Sequence, residues 1–379
     1  MGPENLPVPG GELATKPESF EYLKKVSQLK LDIQRGYLGA WASILGTAYA
    51  ELAYFDCFAG SGRYSDEDGN ELRGSPLQAL QVATEFVAKA PGRRVTLGFI
   101  ERDKFKAQQL QRTLQKASYP PAVAFRVFAA DAENLIGQVL ATLEKRGKVI
   151  PTFFFIDPYG YPLPIPTMRK LLALPKAEIL VNLMWFRISL DLGNPQNWGR
   201  LDTMFGHQRW RTKHFGMLRG EHREAAFISY FQEEVGARYH VPFPMTYSPE
   251  DRVSVPDKRN KYYLIHFSGY HSGALAMKEV MHRVRGKLRK LYSPMEQLAF
   301  DYGQPENPLT PLKTALLERF APGKQLKLLD MRIQTANLPY AKAEYRVALN
   351  ELKDAGKIDV DRRQSKRHGI DDGDIIRFL

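Results

Sequence analysis

The chain has 379 residues, is 44% hydrophobic, and carries 54 basic against 42 acidic side chains, for a formal net charge of +12. This length exceeds one compact domain and the apolar content supports a sizeable core, while the charge predicts a surface that attracts polyanions, nucleic acid ahead of membrane. The lone Cys57 excludes an internal disulfide or a multi-thiolate metal site and fits a reducing interior. No apolar run approaches the ~20 residues that span a bilayer and the N-terminus has no signal pattern, so a cytoplasmic location is expected. His207, His214 and His222 sit among arginines that would repel a cation, so no metal is expected.

Residues 1–18 are rich in Pro and Gly and read as a disordered tail. From near Ser19, apolar residues recur at helical spacing (Leu23, Val26, Leu29, Ile33, then Leu38, Trp41, Ile44, Leu45), which predicts one or two amphipathic helices. Lys30 lies off that apolar face, either solvated or reaching toward a ligand site. Next comes AYFDCFAGSGRY, residues 53–64. Tyr54, Phe55 and Phe58 favour a strand, Asp56 falls at its carboxyl end, and Gly60 and Gly62 let backbone approach a ligand closely. Two glycines in this spacing match neither GxGxxG nor a P-loop, so a structural hinge and a ligand loop both remain open. A loop over residues 66–70 and a Gly74-Ser75-Pro76 turn then open a helix reaching about Lys89.

RVTLGFIERD forms a second strand ending at Glu101, AVAFRVFAAD a third ending at Asp131, and TFFFIDPYGYP a fourth ended by Asp157 and Pro158; AEILVNLMWFR, containing Asn182, is the fifth. Strands alternating with helices predict a parallel, doubly wound sheet covered on both faces. One acid after a strand reads equally well as a helix cap. Asp56, Glu101, Asp131 and Asp157 at four successive strand ends point instead to one concave site for the ribose and base of a nucleoside-containing cofactor and then a substrate.

The succession FDCFAGSGRY, RGSPLQAL, FIERD, AAD and FFFIDPYGYP, over residues 30–185, resembles the three-Cys-motif partner protein family, which has an S-adenosylmethionine-dependent methyltransferase-like core. The same order of blocks is similar to the ribosomal RNA adenine-N6 methyltransferases. The resemblance implies that Asp56, Phe58, Ala59, Gly60 and Gly62, with Lys30 above them, bind S-adenosylmethionine, that Glu101 holds the ribose hydroxyls, and that Asp131 reads the adenine amino group. It further implies that Asp157, Pro158 and Tyr159 face the methyl acceptor, with Ser75 and Tyr161 on the substrate side. In place of a second proline and one aromatic, Tyr159, Gly160 and Tyr161 follow Asp157-Pro158. Base stacking by Tyr159 or Tyr161 and a rigid strand exit with both rings in the core therefore both stay open.

Residues 187–255 carry Trp198, Phe205, Trp210 and Phe215 among arginines and histidines, and read either as an aromatic surface for unpaired bases or as a helical lid whose rings pack inward. KYYLIHFSGYHSGALAMKEVM then supplies a late strand, a turn and a helix from about Ala274 that completes the sheet. Residues 304–310 form a linker, and three short helices followed by two strands predict a winged helix over residues 311–379. Its wing, Arg362, Arg363, Lys366 and Arg367, would contact phosphates; acids on the third helix argue against groove reading and leave protein docking open.

The expected fold is thus α/β, a Rossmann-like class I methyltransferase sheet over residues 19–303, with a helical and aromatic insertion or lid at 187–255 and a C-terminal winged-helix domain. The expected function is a methyltransferase using S-adenosylmethionine on a nucleic acid (RNA or DNA) or nucleotide-like base, at an exocyclic amine. Two alternatives remain. One is an accessory subunit of this fold that partners a separate three-Cys-motif protein; the other is a nucleic-acid-binding regulator with a vestigial pocket.

Overall fold

The structure, a computed structural model, describes residues 21–22, 25–65, 69–145, 147–246, 260–291, 309–362 and 369–379. The proposed tail at 1–18, all but the end of the linker at 304–310, and Arg363, Lys366 and Arg367 of the proposed wing lie outside the described residues.

Chain order begins with a two-residue strand β1 (Glu21–Tyr22) and a single long helix α1 (Lys25–Leu45). β1 falls where helix was expected, and it pairs in parallel with β3 (Arg63–Ser65). The residues on either side of the loop expected at 66–70 pair as a small hairpin of β3 and β4 (Glu71–Arg73), stitched by an Arg63–Glu71 ion pair at 2.8 Å. Too few residues alternate in these strands for periodicity to reveal them.

The main body follows as β2 (Glu51–Asp56), α2 (Ser75–Lys89), β5 (Arg94–Glu101), α3 (Lys104–Gln115), β6 (Val123–Ala129), α4 (Ala132–Lys145), β7 (Thr152–Ile156), α5 (Ile165–Ala173) and β8 (Ala177–Leu183). Then come α6 (Trp185–Leu192), α7 (Trp198–Phe205), α8 (Gly220–Val235), β9 (Tyr239–Thr246), β10 (Asn260–Ser268) and α9 (His271–Leu291). The seven-stranded sheet has the order β6-β5-β2-β7-β8-β10-β9. Pairs from β6 to β8 are parallel, while β10 runs antiparallel to β8 and β9. This is a Rossmann-like, mostly parallel α/β sheet. The chain moves outward from β2 through β5 to β6, then returns to β7 on the other side of β2, so the order reverses between β2 and β7.

Side-chain alternation builds a core on each face. Leu52, Tyr54, Phe153 and Phe155 turn toward α1, α2 and α9. Ala53, Phe55, Phe154 and Ile156 turn toward the layer of α4 to α8. Because both faces are covered, the central strands read as unbroken apolar runs. Around the main sheet the fold departs from the sequence reading as follows. Trp185 and Phe186, read with the fifth strand, start α6; α5 was not foreseen; and the segment 187–255 contains β9, an edge strand of the sheet itself. Phe205, Trp210 and Phe215 are 1%, 2% and 4% exposed and form core, and half-buried Trp198 packs edge-on against Trp210 at 5.3 Å.

A polar cluster is buried in the first core. The Glu178 carboxylate on β8 accepts from the Tyr37 hydroxyl and pairs with His266 Nε2 at 2.8 Å. Gly273 leaves room for it, since a Cβ there would stand 2.6 Å from Glu178 Oε1.

The C-terminal segment contains α10 (Thr310–Arg319), β11 (Gln325–Lys327), α11 (Leu328–Gln334), α12 (Lys342–Asp354), β12 (Ile358–Asp361) and β13 (Ile375–Phe378). Its strands form an antiparallel sheet in the order β11-β13-β12, around a core of its own that includes Leu316, Met331, Tyr345 and Ile376. β11 was missed because three residues between two helices give no readable period. This segment is tied to α9 by an Arg332–Glu279 ion pair at 2.6 Å and by the Lys342 amide on Glu279 at 2.9 Å.

Candidate functional site

A cleft of about 920 Å³ opens at the carboxyl ends of β2, β5, β6, β7 and β8, where the strand order reverses. Ligands bind at this place in open α/β sheets, and the volume lies within the ~300–1,000 Å³ of small-molecule sites. The topology carries the chain out of each strand there, so three of the four acids expected at strand ends, Glu101, Asp131 and Asp157, converge on the cleft, while Asp56 lies beneath it.

Glu101, at the end of β5, accepts from the Gly60 amide (2.9 Å, Oε2) and the Asp103 amide (2.8 Å, Oε1). It therefore fixes the glycine turn after β2 to the turn after β5, and each oxygen keeps a further lone pair for a ligand. Gly60 and Gly62 have φ of +63° and +78°, the left-handed region that disfavours a Cβ. A Cβ at Gly60 would stand 2.9 Å from the Tyr64 hydroxyl, and one at Gly62 would stand 2.6 Å from Leu110 Cδ1. Backbone, with no side chain, thus borders the cleft beside Glu101.

Asp131 caps α4 by accepting from the amides of Glu133 (3.0 Å) and Asn134 (3.4 Å) through Oδ1, while it also lines the cleft. Capping and ligand readings were posed as alternatives; here capping aims the carboxylate at the cleft. Asp103, not singled out in the sequence, plays the same part for α3 and lines the cleft as well.

Asp56 lies deeper than the sequence suggested. It is fully buried, as is Ala59, and neither they nor Gly62 line the cleft, whereas Phe58, Gly60 and Ser75 do. The Phe58 amide donates to Asp56 Oδ1 at 3.2 Å, and Oδ2 is buried without a hydrogen-bond partner. Burial pushes the Asp56 carboxyl up to about 7, against a smaller downward pull from Ser75 and the Phe58 amide, and nearby Asp157 and Glu101 add to the rise.

At the opposite end, Asp157 follows β7 and faces Asn182 of the neighbouring β8. Lys30 Nζ reaches down from α1 to both Asp157 oxygens, at 2.7 and 2.6 Å, and Asn182 Nδ2 donates to Oδ1 at 2.8 Å. Lys30, expected with the cofactor residues, is thus bound to the residue expected to face the acceptor. Its ammonium also lies 5.6 Å from the Tyr262 ring of β10, a cleft residue the sequence reading missed because the late strand is remote in sequence.

The two tyrosines of DPYGYP separate. Tyr159 is 86% exposed on the cleft. Tyr161 borders the cleft but packs against the second core and donates its hydroxyl to buried Asp191 at 2.9 Å; burial first, and then that carboxylate, raise its pKa well above the ordinary phenol range. Asp191 is held in turn by Asn197 (2.7 Å) and Arg200 (3.3 Å). Tyr161 is therefore a strut between the strand exit and the helical layer, and Tyr159 is the exposed ring. Arg362, far along the chain at the end of β12, is exposed and is not part of this cleft.

No protein-family model matches the sequence, and no curated protein matches it. Several solved structures are similar at a distance. The Legionella pneumophila protein LPL1258 shares 10% identity over 70% of this chain and 93% of that one, with a TM-score of 0.41. The cyclopropane synthase MmaA2 of Mycobacterium tuberculosis shares 12% over 73% and 76%, with a TM-score of 0.29. A geranyl diphosphate methyltransferase in complex with GPP and sinefungin shares 13% over 64% and 78%, with a TM-score of 0.30. No helix among the described residues is long and apolar enough to cross a membrane.

Proposed function

We propose that this chain is an S-adenosylmethionine-dependent methyltransferase whose acceptor is an exocyclic amine on a nucleic-acid base. The observation that supports it most is the arrangement at β7: a carboxylate held in place by Lys30 and Asn182, two residues before an exposed aromatic ring, across one cleft from a glycine turn tied to Glu101. The resemblance to ribosomal RNA adenine-N6 methyltransferases points the same way.

The residues present fit the cofactor. Gly60 offers backbone without a Cβ, Glu101 retains lone pairs for two vicinal hydroxyls, and Asp131 offers an acceptor to an amino group on an adenine ring. When bound, S-adenosylmethionine supplies an electrophilic methyl group on a sulfonium. Asp56, below the floor, shapes the turn and does not touch the ligand.

Asp157 acts on the acceptor. An exocyclic amine is a weak nucleophile while its lone pair is delocalised into the ring, so a carboxylate accepting one N–H localises that pair and orients the nitrogen. Oδ1 already accepts from Lys30 and Asn182, so Oδ2, which has one donor, is the oxygen with room for the amine. Tyr159 stacks on the base, and Asp157 is the acceptor at hand for the proton released on methylation.

The C-terminal three helices and three strands read as a winged helix that docks the substrate; exposed Arg362 is the described member of its basic loop. Replacing Arg362 together with Arg363, Lys366 and Arg367 should weaken polyanion binding and reduce its salt dependence.

Lys30 occupying both Asp157 oxygens favours a second reading, an accessory subunit that binds cofactor or nucleic acid for a three-Cys-motif partner. Incubation of methyl-labelled S-adenosylmethionine with total RNA, DNA and candidate partner proteins separates the two. Transfer to RNA or DNA that falls by ~100-fold or more in Asp157→Ala, with cofactor affinity within about threefold, supports the catalytic reading. Cofactor binding without transfer to any of them supports the accessory one, no measurable cofactor binding would sink the catalytic one, and binding of neither cofactor nor nucleic acid would sink both.

A further inference from the structure

Lys278 of α9 is 2% exposed, yet its Nζ has no hydrogen-bond partner among the described residues. An unpartnered buried ammonium is among the most costly groups a fold can hold, so it calls for a physical explanation. It lies where the sheet domain meets the C-terminal segment, beside a void of about 10 Å³. A void of that size holds one water-sized occupant.

Glu279 and Glu344 lie near enough to offset part of its charge, but neither hydrogen-bonds the Lys278 ammonium. Glu279, the next residue, is committed to Arg332 (2.6 Å) and to the Lys342 amide (2.9 Å). Glu344, which also lines the void, accepts from the Ala341 amide at 2.7 Å and faces His282 (3.4 Å) and Arg285 (3.8 Å). Asp372 is held by Arg332 (3.1 Å) and Lys342 (2.7 Å), and Asp371 by Lys342 and Arg346. From β9, the void is bordered by Val241, Pro242 and Phe243, which bring no acid. Arg332, 4% exposed, has an Nε–H that is likewise buried without a partner. The seam therefore holds two buried cations with N–H groups to spare, and each of its carboxylates already accepts from a group other than Lys278.

We propose that this void is a binding site for a single small inorganic anion of halide size, held on Lys278 Nζ, that clamps the C-terminal segment onto α9. A neutral water would satisfy one N–H but leave the charge beside Arg332 unbalanced. An anion satisfies the hydrogen bond and balances the charge together. Without one, burial and the Arg332 guanidinium pull the Lys278 ammonium down to about 7, so chloride and proton loss are the two ways of relieving the same strain, and they can be told apart.

The test is thermal unfolding of the full chain at pH 7.5 in sodium chloride against sodium gluconate of equal ionic strength, the gluconate anion being too large for the void. Chloride should raise the Tm of the wild type saturably by about 2 °C or more. Lys278→Met and Lys278→Gln should both lose that response, and chlorine-35 NMR should show line broadening with wild type that either substitution reduces. A wild-type Tm equal in the two salts, or variants that respond to chloride as the wild type does, would overturn the proposal. So would stability that climbs from pH 7 to 9 equally in both salts, since it would mean that Lys278 is simply discharged.

Discussion

Replacing Asp56 by asparagine should stabilise the ligand-free protein above neutral pH, although the residue sits in the glycine-turn motif that first suggested a ligand site. Asp56 is fully buried and one of its oxygens has no partner, and its carboxyl is raised from 3.8 to about 7. At about 1.36 kcal/mol per pH unit, ionising it in the fold is about 4 kcal/mol harder than in the unfolded chain. Because the folded state holds the proton more tightly, the wild type is most stable relative to the variant at low pH and loses that advantage as pH rises from 3.8 to about 7. The asparagine side chain cannot ionise, so the gap between the two proteins should widen across this window and level off above it. For Asp56→Asn at pH 8 the gain amounts to roughly 8 °C in Tm, read by urea or thermal melts of both proteins at pH 4.5, 6 and 8. Parallel melting curves at all three pH values would refute the argument that burial, and not a ligand-facing role, governs this carboxylate.

Gly62→Ala should destabilise by about 2–4 kcal/mol, measured by urea unfolding, because its φ of +78° disfavours any side chain and the new Cβ would stand 2.6 Å from Leu110 Cδ1. Tyr161→Phe should lower stability by about 1–2 kcal/mol through loss of the hydroxyl on buried Asp191, with methyl transfer unchanged. Tyr159→Ala should do the reverse, leaving stability within ~0.5 kcal/mol while raising the KM for the proposed nucleic-acid acceptor. Glu178→Ala strands the Tyr37 hydroxyl and His266 inside the first core and should cost about 3 kcal/mol or more by thermal melts, with cofactor affinity unaffected in the protein that remains folded.

The sheet and the place of the cleft were legible in the amino-acid order alone. Runs such as TFFFI and AEILVNL have no polar face because helices cover both sides, and acids two or fewer residues beyond such runs fall at carboxyl ends wherever the strands are parallel. Local chemistry sufficed for this, since strand periodicity and turn residues act within a dozen positions. Where each residue sits and what it touches was decided by packing in three dimensions. Asp56 and Glu101 end neighbouring strands, yet one lies sealed under the floor and the other borders the cleft. Lys30 meets Asp157 across 127 positions of chain. Tyr159 and Tyr161, two residues apart, point one to the cleft and one to Asp191. Phe205, Trp210 and Phe215 were compatible with a nucleic-acid surface and are core, because an aromatic stripe is the same in sequence whether it faces a base or another helix. Lys278 reads as one more surface lysine until α9 is packed against β9 and α11. Burial and long-range pairing depend on which elements come together, and a local pattern does not carry that information.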